Sequence, residues 1–135
     1  MPPCASAAHE IVNEFDAGEN RSIFTTQNQL TATDDYFLRS DNTIRCFFEE
    51  EAFDAEGKLK QDKSLSINKI GHALHDLDPV FEQFSRDPKL AAVASDLGLR
   101  DVKVWQSMYI FKQPGIGGEV RWHQDATFLR PPRSA

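Results

Sequence analysis

Apolar and polar positions change their spacing several times along the 135 residues, and each change marks an expected element. Residues 1–8 are rich in Pro and Ala and read as a loose N-terminus. In residues 9–15, Ile11, Val12 and Phe15 fall on one helical face. Residues 16–35 are polar, rich in Thr, Gln, Asn and Asp, and read as loop with room for a short turn of helix. Tyr36-Phe37-Leu38 and residues 43–48 are β-branched or aromatic, separated by the turn cluster Ser40-Asp41-Asn42, and predict two strands. Asp54-Ala55-Glu56-Gly57 predicts a turn, and residues 65–74 run into a helix that carries Lys69, His72 and, just beyond, His75. Asp78-Pro79 and Asp87-Pro88 each set an N-cap carboxylate before a proline at the first helical position. The first of these helices offers Val80, Phe81 and Phe84 as its apolar face. The second offers Leu90, Ala91, Val93, Ala94 and Leu97, with Gly98 as its stop.

Strict alternation begins after Gly98. Residues 102–112 predict a strand with Val102, Val104, Gln106, Met108 and Ile110 on one face and Trp105, Ser107, Tyr109 and Phe111 on the other. Pro114-Gly115-Ile116-Gly117-Gly118 breaks it, and residues 119–129 predict a second strand, hairpin-paired with the first.

Length and composition, 40% hydrophobic and 27% charged, fit one modest soluble domain. No apolar run approaches the roughly 18 residues that a membrane span needs. The first residues lack the basic and apolar regions of a secretory signal. Cys4 and Cys46 are too few for a disulfide framework and point to a reducing, intracellular compartment, with the cytoplasm expected. A net charge of −6 argues against a nucleic-acid surface and against an anionic membrane. A small-molecule substrate is the expected partner.

The most specific chemistry lies in His123-Gln124-Asp125. With period-two alternation the imidazole and the carboxylate share a strand face, while Val120, Trp122, Ala126 and Phe128 take the other. A histidine nitrogen and a carboxylate are two of the three ligands of the facial site that holds ferrous iron in non-haem oxygenases. Three letters are a weak signal alone, since a surface His and Asp on an exposed strand give the same pattern. His72 and His75 are also spaced for a shared helix face, but no acid at a telling distance completes a metal set, and ordinary helix histidines fit equally. Glu119 and Arg121 share the His123 face, as ligand-orienting groups or as a surface ion pair. A zinc module fails on ligand count.

The surroundings of the pair sharpen it. Asp-Tyr-Phe-Leu at 35–38, Ile-Arg-Cys-Phe-Phe-Glu at 44–49, Ser-Ile-Asn-Lys-Ile-Gly-His-Ala-Leu-His at 66–75 and Asp-Pro-Val-Phe at 78–81 occur in order. They are followed by Gln-Ser-Met-Tyr-Ile-Phe-Lys-Gln-Pro at 106–114, Gly-Gly-Glu-Val at 117–120 and His-Gln-Asp at 123–125. Over this span the chain resembles the phytanoyl-CoA dioxygenase family of Fe(II)/2-oxoglutarate oxygenases. The resemblance implies that His123 and Asp125 are iron ligands, that Lys69 contacts the co-substrate 2-oxoglutarate, and that Met108 lines its pocket. A cation suits a dicarboxylate. The cofactors implied are Fe(II) and 2-oxoglutarate, with ascorbate as a supporting reductant. The reaction implied is C–H hydroxylation with release of succinate and CO2. The presence of Asp125 favours hydroxylation over the halogenation seen in relatives that lack this acid.

The fold implied is α+β, mainly β: a double-stranded β-helix, the cupin-like jelly roll, with N-terminal helices packed on it. In the family a second histidine and an arginine for the co-substrate's distal carboxylate follow much later in the chain. Here no histidine follows Asp125, and Arg130 and Arg133 sit immediately beyond the motif. The expectation is therefore an incomplete jelly roll over residues 9–129 with a divergent tail at 130–135. A polypeptide of these residues alone is expected to be catalytically silent, or to act only through a partner.

Overall fold

The computed structural model describes residues 3–18, 21–25, 34–120 and 122–124. Helix α1 spans Pro3–Glu14. The expected loose terminus is thus helical from its third residue. Ala5, Ala7 and Ala8 are strong helix formers, and Cys4, Ala7, Ala8, Ile11, Val12 and Phe15 form one stripe against the core. Tyr36-Phe37-Leu38 is a helical turn, α2 (Asp35–Leu38), and not a strand. Its aromatic residues have β-propensity, but the Asp34 carboxylate accepts the Phe37 amide at 2.8 Å and caps the turn.

Strand β1 (Ile44–Phe48) forms as expected. The helix expected over 65–74 does not. One turn, α3 (Lys63–Ser66), leads into strand β2 (Ile67–His72), the centre of a three-stranded antiparallel sheet ordered β1-β2-β3. β2 is covered on both faces, which removes the alternation that identifies a half-buried strand. Gly71 belongs to this close packing: a Cβ there would meet Met108 Cγ at 3.2 Å and the Ser107 carbonyl oxygen at 3.3 Å.

Helices α4 (Leu74–Leu77), α5 (Pro79–Ser85) and α6 (Pro88–Asp96) follow. The two Asp-Pro starts form as expected. Asp78 accepts from the amides of Val80 and Phe81, and Asp87 accepts from that of Lys89. Gly98, at φ 73°, stops α6 with its amide on the Ser95 carbonyl. Only part of the expected apolar faces is covered among the described residues: Phe81 is buried, whereas Phe84, Leu90, Val93 and Leu97 are exposed.

Strand β3 (Ser107–Ile110) is shorter than the expected 102–112, but its faces are as expected. Tyr109 and Phe111 turn to the core, while Met108 and Ile110 do not. β3 pairs with β2, and the turn at Pro114-Gly115 forms. The expected partner strand is not seen: residues 119, 120 and 122–124 carry no strand, and 121 and 125–129 lie outside the described residues.

The two sheet faces have different tasks. Cys46, Ile70 and Tyr109 are cross-strand neighbours on one face. Together with Phe48, Ile67, Leu74, Phe81 and Phe111 they pack against α1, forming the main core. Phe47, Lys69 and Ile110 are neighbours across the other face, as are Arg45, Gly71 and Met108. Phe37 of α2 and Phe24, in residues 22–24, cover the part of this face around Phe47 and Lys69, while Met108 and Ile110 are exposed. Residues 22–24 bridge β1 in parallel through Ile23 and Phe48.

Candidate functional site

Lys69 sits on the central strand and is 4% exposed. Its ammonium is enclosed by aromatic faces: Nζ lies 3.4 Å from the Phe24 ring centroid, 5.4 Å from that of Phe37 and 5.6 Å from that of Phe47. Among the described residues, the one hydrogen-bond acceptor it meets is soft, Met108 Sδ at 3.7 Å. None of the ion pairs among the described residues involves it. Burial pulls its pKa down from 10.5 to about 8, because the aromatic surroundings replace hydration only in part. A buried cation with no carboxylate partner among the described residues is costly.

The wall beside it is ordered by a hydrogen-bond relay. The Ser40 hydroxyl donates to the Phe37 carbonyl at 2.6 Å. Its single hydrogen is thereby used, so at 2.7 Å it accepts from His72 Nδ1–H, which fixes the tautomer of a neutral imidazole. Burial, and then the neighbouring Lys69 cation, hold the His72 pKa down at about 4. His72 also packs edge-on to Phe37 and against Phe47, so α2, β1 and β2 meet at one ring. A second histidine, His75, hydrogen-bonds Ser107 Oγ through Nδ1 at 2.7 Å, tying α4 to β3. Neither histidine is on the expected shared helix face: His72 ends β2 and His75 lies in α4. Cys46 is buried, its thiol pushed up to about 12 by burial, and so stays protonated and packs as an apolar group.

The buried histidine makes folding pH-dependent with a definite sign. Its folded pKa lies below its unfolded value, so the unfolded chain binds more protons between them. The stability it contributes is complete above about pH 6.5 and is lost as pH falls through about 4. The full contribution is about 3 kcal/mol. Urea unfolding at pH 4.5 and 6.5 should therefore show a steeper pH dependence in the natural chain than in His72→Gln. Equal slopes would contradict the burial of a neutral ring.

The structure brings together two of the four site residues expected from sequence, Lys69 and Met108. His123 is described and exposed, in a segment without regular structure, while Asp125 and Arg121 lie outside the described residues. A histidine nitrogen and a carboxylate oxygen are donor types that suit ferrous iron. Among the described residues, however, no three His, Cys, Asp or Glu side chains gather as a metal centre. The described helices include none long and apolar enough to cross a membrane. Sequence reasoning missed Phe24, Phe37, Phe47 and the Ser40–His72 pair. They come from four separate segments, and only the abundance of phenylalanine, ten in all, hinted at an aromatic enclosure.

The family model for phytanoyl-CoA dioxygenase matches residues 11–135. A relative from Arabidopsis thaliana named phytanoyl-CoA dioxygenase is 57% identical over 120 residues, which cover 89% of this chain and 42% of that protein. Phytanoyl-CoA dioxygenase domain-containing protein 1 from Rattus norvegicus is 51% identical over 125 residues, 89% of this chain and 43% of that protein. Its homolog from Caenorhabditis elegans is 48% identical over 123 residues, 90% of this chain and 43% of that protein. The chain thus spans less than half the length of these relatives. With the family model matched over nearly all of its length, the chain belongs to the phytanoyl-CoA dioxygenase family.

Proposed function

We propose that this chain is part of an Fe(II)- and 2-oxoglutarate-dependent hydroxylase acting on a small molecule. In this reading the β1-β2-β3 sheet is one portion of an incomplete double-stranded β-helix. Lys69 binds a carboxylate of 2-oxoglutarate, Met108 lines the same pocket, and His123 and Asp125 hold the metal. The observation that carries the reading is Lys69 itself, a cation buried among Phe24, Phe37, Phe47 and Met108 with no ion-pair partner among the described residues. A dicarboxylate supplies the missing charge, and its methylene carbons fit the aromatic surroundings.

The chain's own residues bind and orient. The Lys69 ammonium fixes one end of the co-substrate, the phenylalanine rings exclude water, and neutral His72 adds no second positive charge. Iron, when bound, supplies the oxygen activation and the oxidising power. His123 and Asp125 are two protein donors where the family resemblance implies three.

A second reading keeps the family but not the activity: a polypeptide of these 135 residues that binds 2-oxoglutarate without turning it over. Succinate release in the presence of Fe(II), ascorbate and 2-oxoglutarate separates the two. A polypeptide of these residues, assayed by itself, is expected to bind 2-oxoglutarate without releasing succinate above background. Release that disappears in both His123→Ala and Asp125→Ala would overturn that expectation and establish the chain as sufficient. Absence of 2-oxoglutarate binding would overturn the dioxygenase reading for this chain.

A further inference from the structure

Of the groups around the Lys69 ammonium, the Phe24 ring is nearest, at 3.4 Å, against 5.4 and 5.6 Å for Phe37 and Phe47. Phe24 comes from none of the named strands or helices. It reaches in from the short segment that bridges the outer edge of β1. The backbone of that segment is fixed on both sides of the ring. The Phe24 amide donates to the Phe48 carbonyl, and the Phe48 amide donates to the Ser22 carbonyl, both at 2.9 Å. Arg21 donates to the Gly57 carbonyl at 3.0 Å, and the Thr25 hydroxyl donates to Glu50 Oε2 at 3.1 Å. The side chain is only half-buried, and its ring stacks on Phe37 at a centroid distance of 6.4 Å.

A ring face and a carboxylate oxygen cannot share the same side of an ammonium group. In desolvated surroundings the charge-assisted hydrogen bond is the stronger of the two. We infer that Phe24 is a gate on the Lys69 anion site: its ring occupies the place of a carboxylate oxygen when no anion is bound, and rotates aside when one enters. The inference rests on Lys69 being the co-substrate cation. It makes Phe24 a positioning residue that sets co-substrate affinity without touching the reacting atoms. Phe37 and Phe47 remain as the fixed walls, since Phe47 is fully buried and Phe37 is locked between Phe47 and His72.

Competition sets the direction of every substitution. The apparent affinity is the intrinsic one multiplied by the fraction of molecules with the ring withdrawn. Removing the ring face should tighten binding, and a larger ring face should weaken it. Calorimetric titration of 2-oxoglutarate into the whole chain is the test, with Phe24→Ala, Phe24→Leu, Phe24→Trp and Lys69→Met run alongside. Phe24→Ala and Phe24→Leu are expected to bind about 3- to 10-fold more tightly, and Phe24→Trp more weakly by a similar factor. Leu retains most of the bulk without a π face, so it decides the matter if the alanine variant does not fold. In the natural chain, ring resonances of 13C-labelled Phe24 should shift on addition of 2-oxoglutarate. Equal or weaker binding in Phe24→Ala and Phe24→Leu overturns the gate while leaving the co-substrate site intact, provided Lys69→Met abolishes binding. Unchanged binding in Lys69→Met overturns the site itself, and the gate with it.

Discussion

Lys69→Met is expected to stabilise the fold and abolish the proposed 2-oxoglutarate binding in the same molecule. The stabilisation follows from linkage. The folded pKa of about 8 lies below the ordinary 10.5, so the buried ammonium disfavours folding wherever it is protonated. The penalty is complete below about pH 8 and is relieved as pH rises toward 10.5. Methionine is unbranched, of similar length and favourable against aromatic rings. Replacing a buried charge that no carboxylate among the described residues pairs with should raise stability at pH 7 by about 1–3 kcal/mol, read as a higher urea midpoint. The functional loss is larger. A carboxylate drawn into this enclosure without its cation would itself be buried and unpaired, a cost of about 3 kcal/mol or more, equivalent to at least 100-fold in affinity. A residue kept for packing alone gives the opposite pattern: lower stability and unchanged binding.

Phe47→Ala is the second large effect. Phe47 is fully buried and packs edge-on to Tyr36 and Phe37 and against His72, at centroid distances of 5.5–5.6 Å. Deleting such a ring costs about 3–5 kcal/mol, a large share of the roughly 5–15 kcal/mol that holds a domain together. Phe48→Ala should cost a similar amount, because Phe48 is equally buried in the main core on the other sheet face. The two differ at Lys69. Loss of Phe47 opens a wall of the ammonium enclosure and should raise the Lys69 pKa toward its ordinary value, whereas loss of Phe48 should leave it near 8. NMR titration of the lysine side chain, alongside urea unfolding, distinguishes them. Equal Lys69 titration in both variants would contradict the division of labour between the two faces.

The parts of this fold that were legible in the sequence are those made by local rules. Asp78-Pro79 and Asp87-Pro88 specify their helix starts within three residues, and Gly98 specifies a stop, because capping is chemistry between near neighbours. Strand β1 was legible from its β-branched and aromatic run. Strand β2 was not. Covered on both faces, it shows no alternation, and the spacing of Lys69 and His72 imitates a helical face. α2 was missed for the converse reason: a single Asp34 cap outweighed the strand preference of Tyr36 and Phe37. The site divides in the same way. His123-Gln124-Asp125 stands out as a motif, and the family resemblance singled out Lys69 and Met108. The aromatic enclosure gathers Phe24, Phe37 and Phe47 through tertiary contacts and leaves no local pattern.

The proposed pairing of a dicarboxylate with the Lys69 ammonium is most directly tested as a change in that ammonium's own titration. An anion bound to it favours the charged form, so 2-oxoglutarate should raise the Lys69 pKa from about 8 toward 10.5. At pH 8.5 binding should then take up a fraction of a proton, a quantity read by calorimetry in buffers of different ionisation enthalpy and checked by side-chain 15N resonances of Lys69. The predicted result is proton uptake in the natural chain and none in Lys69→Met. Binding of 2-oxoglutarate with no uptake and an unmoved Lys69 resonance would contradict the account.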